Sequence, residues 1–244
     1  MTRTPALRWI CLLMFPAWLF GCASPDRMDG SAQSRAEAVP PKVTALPADI
    51  DPQSRSRLPL VKREDLDENG RRAYDAVVDP KSRLRAQLVG PAGIWLHVPE
   101  LSPHIREVNW TLRNRLGLSD RLAELAILVT ARETDGQTEW TAHEPAALKA
   151  GLSADVVEIV KLRKPIPPGL AEQEELIIRL GREVFRDKKV SSATYARALN
   201  VFGQPTLVKL VMLMANYTMT SVILHAFDQQ LRPDLTPLLP VAHP

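Results

Sequence analysis

Apolar positions recur at three- and four-residue intervals along most of the chain beyond Arg63, the period of one face of an α-helix. The segment "REDLDENGRRAYDAVV" starts this pattern as a first helix. In "PHIREVNWTLRNRLG", Ile105, Val108, Leu112 and Leu116 fall on one stripe that opens at Pro103 and stops at Gly117. "SDRLAELAILVTARE" offers Ser119 as N-cap and Asp120 in the first turn, ahead of a mostly apolar interior. "EWTAHEPAALKAG" ends on Gly151 and "SADVVEIVKLR" begins on Ser153, so two short helices meet at a tight corner. Leu176, Ile177, Leu180 and Val184 share a face of "AEQEELIIRLGREVFRDK", and "SSATYARALNVFG" is a shorter helix closed by glycine. The last helix, from about Thr206 to Phe227, is the most apolar. No alternating run of β-branched residues competes, and the 11 glycines fall mainly at helix ends. The pattern predicts an all-α domain of about eight helices and no sheet.

The last helix is long enough to cross a bilayer, because "LVMLMANYTMTSVILHAF" carries no formal charge. Asn216, Thr218, Thr220, Ser221 and His225 interrupt it, and Lys209 and Asp228 flank it closely. It reads as a core or oligomer-interface helix. From Ala23 to about Leu58 the chain is rich in Ser, Pro, Ala, Asp and Arg, with few large apolar residues, and reads as a flexible tether. The helical domain is thereby expected at residues 59–232, followed by a Pro-rich tail at 233–244.

Composition narrows the function classes. The 244 residues are enough for one sizeable domain, with 45% hydrophobic and 24% charged residues. A net charge of +3 without a run of Lys and Arg gives no footprint for nucleic acid. At the amino terminus, Arg3 and Arg8 precede an apolar run from Trp9 to Phe20, followed by "GCAS". "LFGC" resembles the lipobox of bacterial lipoproteins, although Phe20 is bulkier than the usual residue at its place. That resemblance implies a signal peptide at residues 1–21, lipid on Cys22, and an envelope location facing the periplasm. Ala23 after the cysteine points to the outer membrane. The two cysteines, Cys11 and Cys22, both lie in this leader, so the folded domain has no thiol for disulfides, metal thiolates or nucleophilic catalysis.

Candidate chemistry concentrates in "GQTEWTAHEPAALKAGL", which carries Glu139 and His143 four residues apart. Positions at that spacing lie on one helical face, about 6 Å apart at Cβ. A carboxylate on one imidazole nitrogen fixes the tautomer and raises the basicity of the other. The plainer alternative is a structural histidine, with Glu139 favoured simply by the helix N-terminus. Glu124, on the preceding helix, reaches the same place if the two helices pack antiparallel. A single Glu-x-x-x-His falls short of the paired Glu-x-x-His sets of di-metal bundles, so no metal is assigned. Trp95 and His97 in "GPAGIWLHVPE", and Asn109 and Trp110, are candidate pocket residues, with surface or packing roles as the alternative. Asn216 and Tyr217 are read as pocket polars or interface residues.

The stretch "RLAELAILVTARETDGQTEWTAHEPAALKAGLS", Arg121–Ser153, resembles the core motif of the carboxymuconolactone decarboxylase family, which is related to the alkylhydroperoxidase D proteins. The flanking segments, from "RLRAQLVGPAGIWLHVPEL" to Phe227, resemble longer single-domain members more loosely. In the peroxidase branch a Glu precedes a Cys-x-x-Cys pair and a His. Here the Glu falls on Glu124, the His on His143, and the cysteine places on Gly136 and Glu139. Without the redox pair, family-type peroxidase activity is not expected. The resemblance instead implies a cofactor-independent lyase or isomerase acting on a small carboxylated or lactone substrate. In it, Glu124, Glu139 and His143 are the acid–base residues and Trp95, His97, Asn109 and Trp140 line the substrate. His143 would donate the proton, Glu139 would orient it, and Glu124 would balance charge or relay. Where the decarboxylases carry Tyr-Gly-Pro, this chain has "KLRKPIPPGL", which implies a different substrate pocket. The family also implies homotrimers or homohexamers. The competing expectation is a non-catalytic envelope lipoprotein that binds a small molecule.

Overall fold

One helix organises the molecule: α4 (Asp120–Glu133) is buried on nearly every side, from Leu122 to Arg132. An apolar run without a clear polar face has to be surrounded. Its neighbours are α5 (Gln137–Lys149), α6 (Ala154–Lys161), α7 (Glu172–Arg182) and α9 (Gln204–Ala226). Gly181 lets α7 approach closely, since a Cβ there would lie 2.3 Å from Val129 Cγ1. The helix α8 (Ser192–Phe202) bridges α7 and α9. On the other flank of α9 lie α2 (Pro91–Trp95) and α3 (Ser102–Asn114), and α1 (Glu68–Val78) rests on α3. The computed structural model describes residues 46–240, and among them there are nine α-helices and no strand. The protein is an all-α single domain, as the periodicity predicts.

Local signals explain most boundaries. Ser153 and Ser191 cap α6 and α8, their hydroxyls accepting from Val156 N at 3.3 Å and Thr194 N at 3.2 Å. Ser119 stands at the N-cap of α4 with extended backbone, but its side chain makes no capping bond. Gly203, at φ 72°, turns the chain sharply between α8 and α9.

Three expectations change. The stripe drawn through α3 is displaced: Val108 is 46% exposed, whereas Ser102, Arg106 and Leu112 are buried. This helix turns a partly polar face inward because it walls a cavity, described below. Val184 leaves the buried face of α7, because the chain widens there into a π-helical turn, Glu183–Asp187, which shifts the register of the following side chains.

The folded unit also extends beyond 59–232 at both ends. Residues 50–57 pack against the end of α9, where Arg57 N donates to Phe227 O at 2.8 Å and Gln230 N to Arg55 O at 2.7 Å. Ile50, Ser54 and Ser56 are buried there. Downstream, Leu239 joins the main hydrophobic core and Leu238 N donates to Thr141 Oγ1 at 3.3 Å. Residues 46–58 are therefore not tether, nor residues 233–240 merely a tail. The expected signal peptide and lipidated Cys22 lie outside the described residues.

Helix α9 meets the length and hydropathy of a membrane span, with half of that window buried inside the domain. Its inner face carries Leu210, Leu213, Met214, Tyr217 and Leu224. The opposite face is also apolar: Val208, Val211, Met212, Met219 and Val222 are exposed.

Candidate active site

Helices α4 and α5 bring Glu124 and His143 together. His143 Nδ1 lies 2.6 Å from Glu124 Oε2, and Arg113 Nη2 of α3 donates to Glu124 Oε1 at 2.7 Å. Each carboxylate oxygen therefore has its own cationic or N–H partner. Burial works against the charge on Glu124, but the hydrogen bond and charge of His143, with Arg113, outweigh it and hold the carboxyl below its ordinary range. At neutral pH Glu124 is thus a carboxylate that accepts from Nδ1–H, leaving Nε2 as the second ring nitrogen. The Tyr217 ring packs edge-on to the imidazole, with centroids 5.2 Å apart. Burial pushes the Tyr217 phenol up, so it stays protonated.

Glu139 has a different environment. Its carboxyl receives the Ser221 hydroxyl of α9 at Oε2, and Ser221 in turn lies 2.9 Å from Thr134 Oγ1. Glu139 is 4% exposed, and its Oε1 is buried without a hydrogen-bond partner. Burial drives its carboxyl up to about 8, against the opposing pull of Ser221, so it is neutral at pH 7. The chain leaves room for it at Gly136, where a Cβ would stand 2.8 Å from Glu139 Oε2 and 2.9 Å from Ser221 Oγ. The carboxylate on His143 is therefore Glu124, and no hydrogen bond joins Glu139 to the imidazole among the described residues. Four residues on a helix amount to about 40° more than a full turn. That offset directs His143 toward α4 and Glu139 toward α9.

Beside the pair lies a cavity of about 720 Å³ walled by residues 83–86, the end of α2, α3, the start of α4 and the end of α5. Glu124 and Arg113 stand in its wall, with the expected pocket residues Trp95 and Asn109, and Trp110. His143 is not itself a wall residue; the cavity meets the pair through the Glu124 carboxylate and through Ala146, one turn beyond His143. The wall is strongly cationic, adding Arg83, Arg85, Arg106 and Lys149 against Asp120 and Glu124. Arg83 is neutralised by Glu107, with Nη2 2.5 Å from Oε2, and its guanidinium stacks over Trp110 at 4.5 Å.

Two expected substrate residues lie elsewhere. Trp140 is fully buried in the main core, its indole N–H donating to Glu144 Oε2 at 2.5 Å, and it does not reach the cavity. His97 Nε2 lies 3.0 Å from Pro59 O and helps seat the segment before α1. Asn216 is buried on α9, and neither atom of its amide has a hydrogen-bond partner. Nothing in the apolar period marks the cavity's arginines: Arg106 and Arg113 lie on α3, whereas Arg83 and Arg85 come from the segment before α2. No family model, curated protein or solved structure matches this chain.

Proposed function

We propose that this protein is a cofactor-independent lyase or isomerase of the carboxymuconolactone decarboxylase-like type, acting on a small carboxylated or lactone substrate. The observation that carries this reading is the Arg113–Glu124–His143 chain, whose Arg113 and Glu124 stand in the wall of a ligand-sized cationic cavity with His143 behind them. In a decarboxylation, the bond from carbon to the departing CO2 breaks and its electron pair passes into an adjacent carbonyl. The resulting enolate collapses as carbon takes a proton, which passes from protonated His143 through Glu124, the member of the pair in the cavity wall, and solvent then returns a proton to His143. In an isomerisation the same pair removes and returns that proton. Arg113 keeps Glu124 ionised between turnovers. Glu139 takes no proton in this scheme and serves the packing of α5 on α9.

The family resemblance of Arg121–Ser153 supports the same reading, and the "LFGC" sequence supports export as a lipid-anchored protein of the outer membrane. The exposed apolar stripe on α9 supports assembly into homotrimers or homohexamers. The test is to follow CO2 release and carbon-bound deuterium uptake over a panel of carboxylated lactones and β-keto acids. Wild type should turn over at least one of them, and Glu124→Gln and His143→Gln should not. Turnover that survives both substitutions would overturn the proposal. Ligand binding without turnover in wild type would favour a small-molecule-binding protein instead.

A further inference from the structure

Arg106 is a buried charge without a partner among the described residues. It sits in the middle of α3, is only 8% exposed, and forms part of the cavity wall. Its Nε is buried without a hydrogen-bond partner. No carboxylate lies within ion-pairing distance of its guanidinium among the described residues, and burial is the single influence on its charge. A buried guanidinium cannot shed its proton to escape this cost, so it needs an anion. Arg132, the other buried arginine with an unpartnered Nε, differs in a decisive way: its Nη1 donates to Asp135 at 2.7 Å.

Position adds to charge. Arg106 and Arg113 are two helical turns apart on α3, about 10 Å along the axis. Asn109 and Trp110 lie between them in sequence and stand in the same wall. Arg85 and Lys149, also in that wall, likewise have no ion-pair partner among the described residues. The cavity thus offers the Glu124 member of the acid–base pair beside Arg113, and an uncompensated cation two helical turns away on α3.

We propose that Arg106 anchors an oxyanion subsite in this cavity, so that the ligand is a small molecule carrying a carboxylate or phosphate group remote from its reacting carbon. Arg85 and Lys149 supply the surrounding field, while Arg106 supplies the desolvated contact. The assignment deepens the acid–base reading of the same cavity, and it adds a charged group that the reaction itself leaves untouched.

The full chain is titrated with benzoate, phenyl phosphate and the neutral methyl benzoate. Binding is read by calorimetry and by the fluorescence of the cavity tryptophans. Wild type is expected to bind at least one of the anions and to bind methyl benzoate at least tenfold more weakly. Preference between the two anions identifies the group as carboxylate or phosphate. Arg106→Met should lose the anion at least tenfold with its near-ultraviolet circular dichroism unchanged. Arg106→Lys, which keeps the charge, should retain an intermediate affinity and covers the case in which the Met variant does not fold. His143→Gln should bind the anion as wild type does, so catalysis can fail while the subsite stands. Failure of both anions to bind wild type, equal binding of the ester, or wild-type affinity in folded Arg106→Met would each overturn the proposal.

Discussion

Replacing Glu139 by Gln removes a carboxyl that the fold holds neutral, and the consequence is a change in how stability depends on pH. Burial raises the folded-state value from 4.5 to about 8. Within that interval the folded chain keeps a proton that the unfolded chain has released. Stability is therefore greatest below the unfolded value, declines as pH rises, and has lost this contribution once pH passes the folded value. At about 1.4 kcal/mol per pH unit, the whole interval amounts to about 5 kcal/mol. Gln cannot ionise, so its contribution is flat. Its carbonyl can still accept from Ser221, but the amide nitrogen then occupies the place of Oε1, which has no partner. An unsatisfied buried donor costs about 1–3 kcal/mol at every pH. The two stability curves should therefore cross: the variant is weaker at pH 5 and stronger than wild type by about 1–3 kcal/mol at pH 8. Urea unfolding of both proteins at pH 5, 6, 7 and 8 gives the difference directly, with other titrating groups common to both. Parallel curves would refute the reasoning, because they would mean that Glu139 has the same proton affinity folded and unfolded.

Other consequences are open to equally simple measurement. Trp140→Phe should lower stability by about 1–3 kcal/mol through the lost indole bond to Glu144 and lost packing, while leaving anion binding in the cavity unchanged; altered binding by a folded variant would return Trp140 to the site. Leu239→Ala should cost about 2–4 kcal/mol in urea unfolding, since the residue is buried in the main core; an effect near zero would make the segment dispensable. By light scattering the wild-type chain should be the proposed trimer or hexamer and a Val211→Lys, Met212→Glu double variant a monomer; equal masses for the two would contradict assembly through the α9 stripe.

The elements that read clearly in sequence are those whose partners lie on all sides or one side throughout. The unbroken apolar run of α4 and the spaced leucines and isoleucines of α7 need no knowledge of a partner to be assigned. Helix α3 is different. Its inner face mixes Arg106 and Ser102 with Leu112, because part of it faces a cavity rather than a packed core. A hydrophobic stripe drawn by period alone then runs through Val108 toward solvent. The candidate site is legible in part: of Glu124, Glu139 and His143, Glu124 and His143 meet, while Glu139 turns away to Ser221. Which carboxylate meets the imidazole depends on how α5 is rotated between α4 and α9, and residue spacing along one helix carries no information about that rotation. Arg113 completes the chain from a third helix, 11 residues before Glu124. The ends of the domain escape the sequence pattern for a related reason. Residues 50–57 are held by backbone bonds to the end of α9, such as Arg57 to Phe227, which local composition does not register.

The central claim is that Glu124 and His143 act as one acid–base unit, and a double-mutant cycle on turnover tests it most directly. Solvent-deuterium incorporation at carbon would be measured for wild type, Glu124→Gln, His143→Gln and the double variant. If the two groups share one proton-transfer step, each single change should cost about 100- to 10,000-fold, and the double variant should be no slower than the slower single. Losses that multiply in the double variant, or a Glu124→Gln enzyme as active as wild type, would contradict the account.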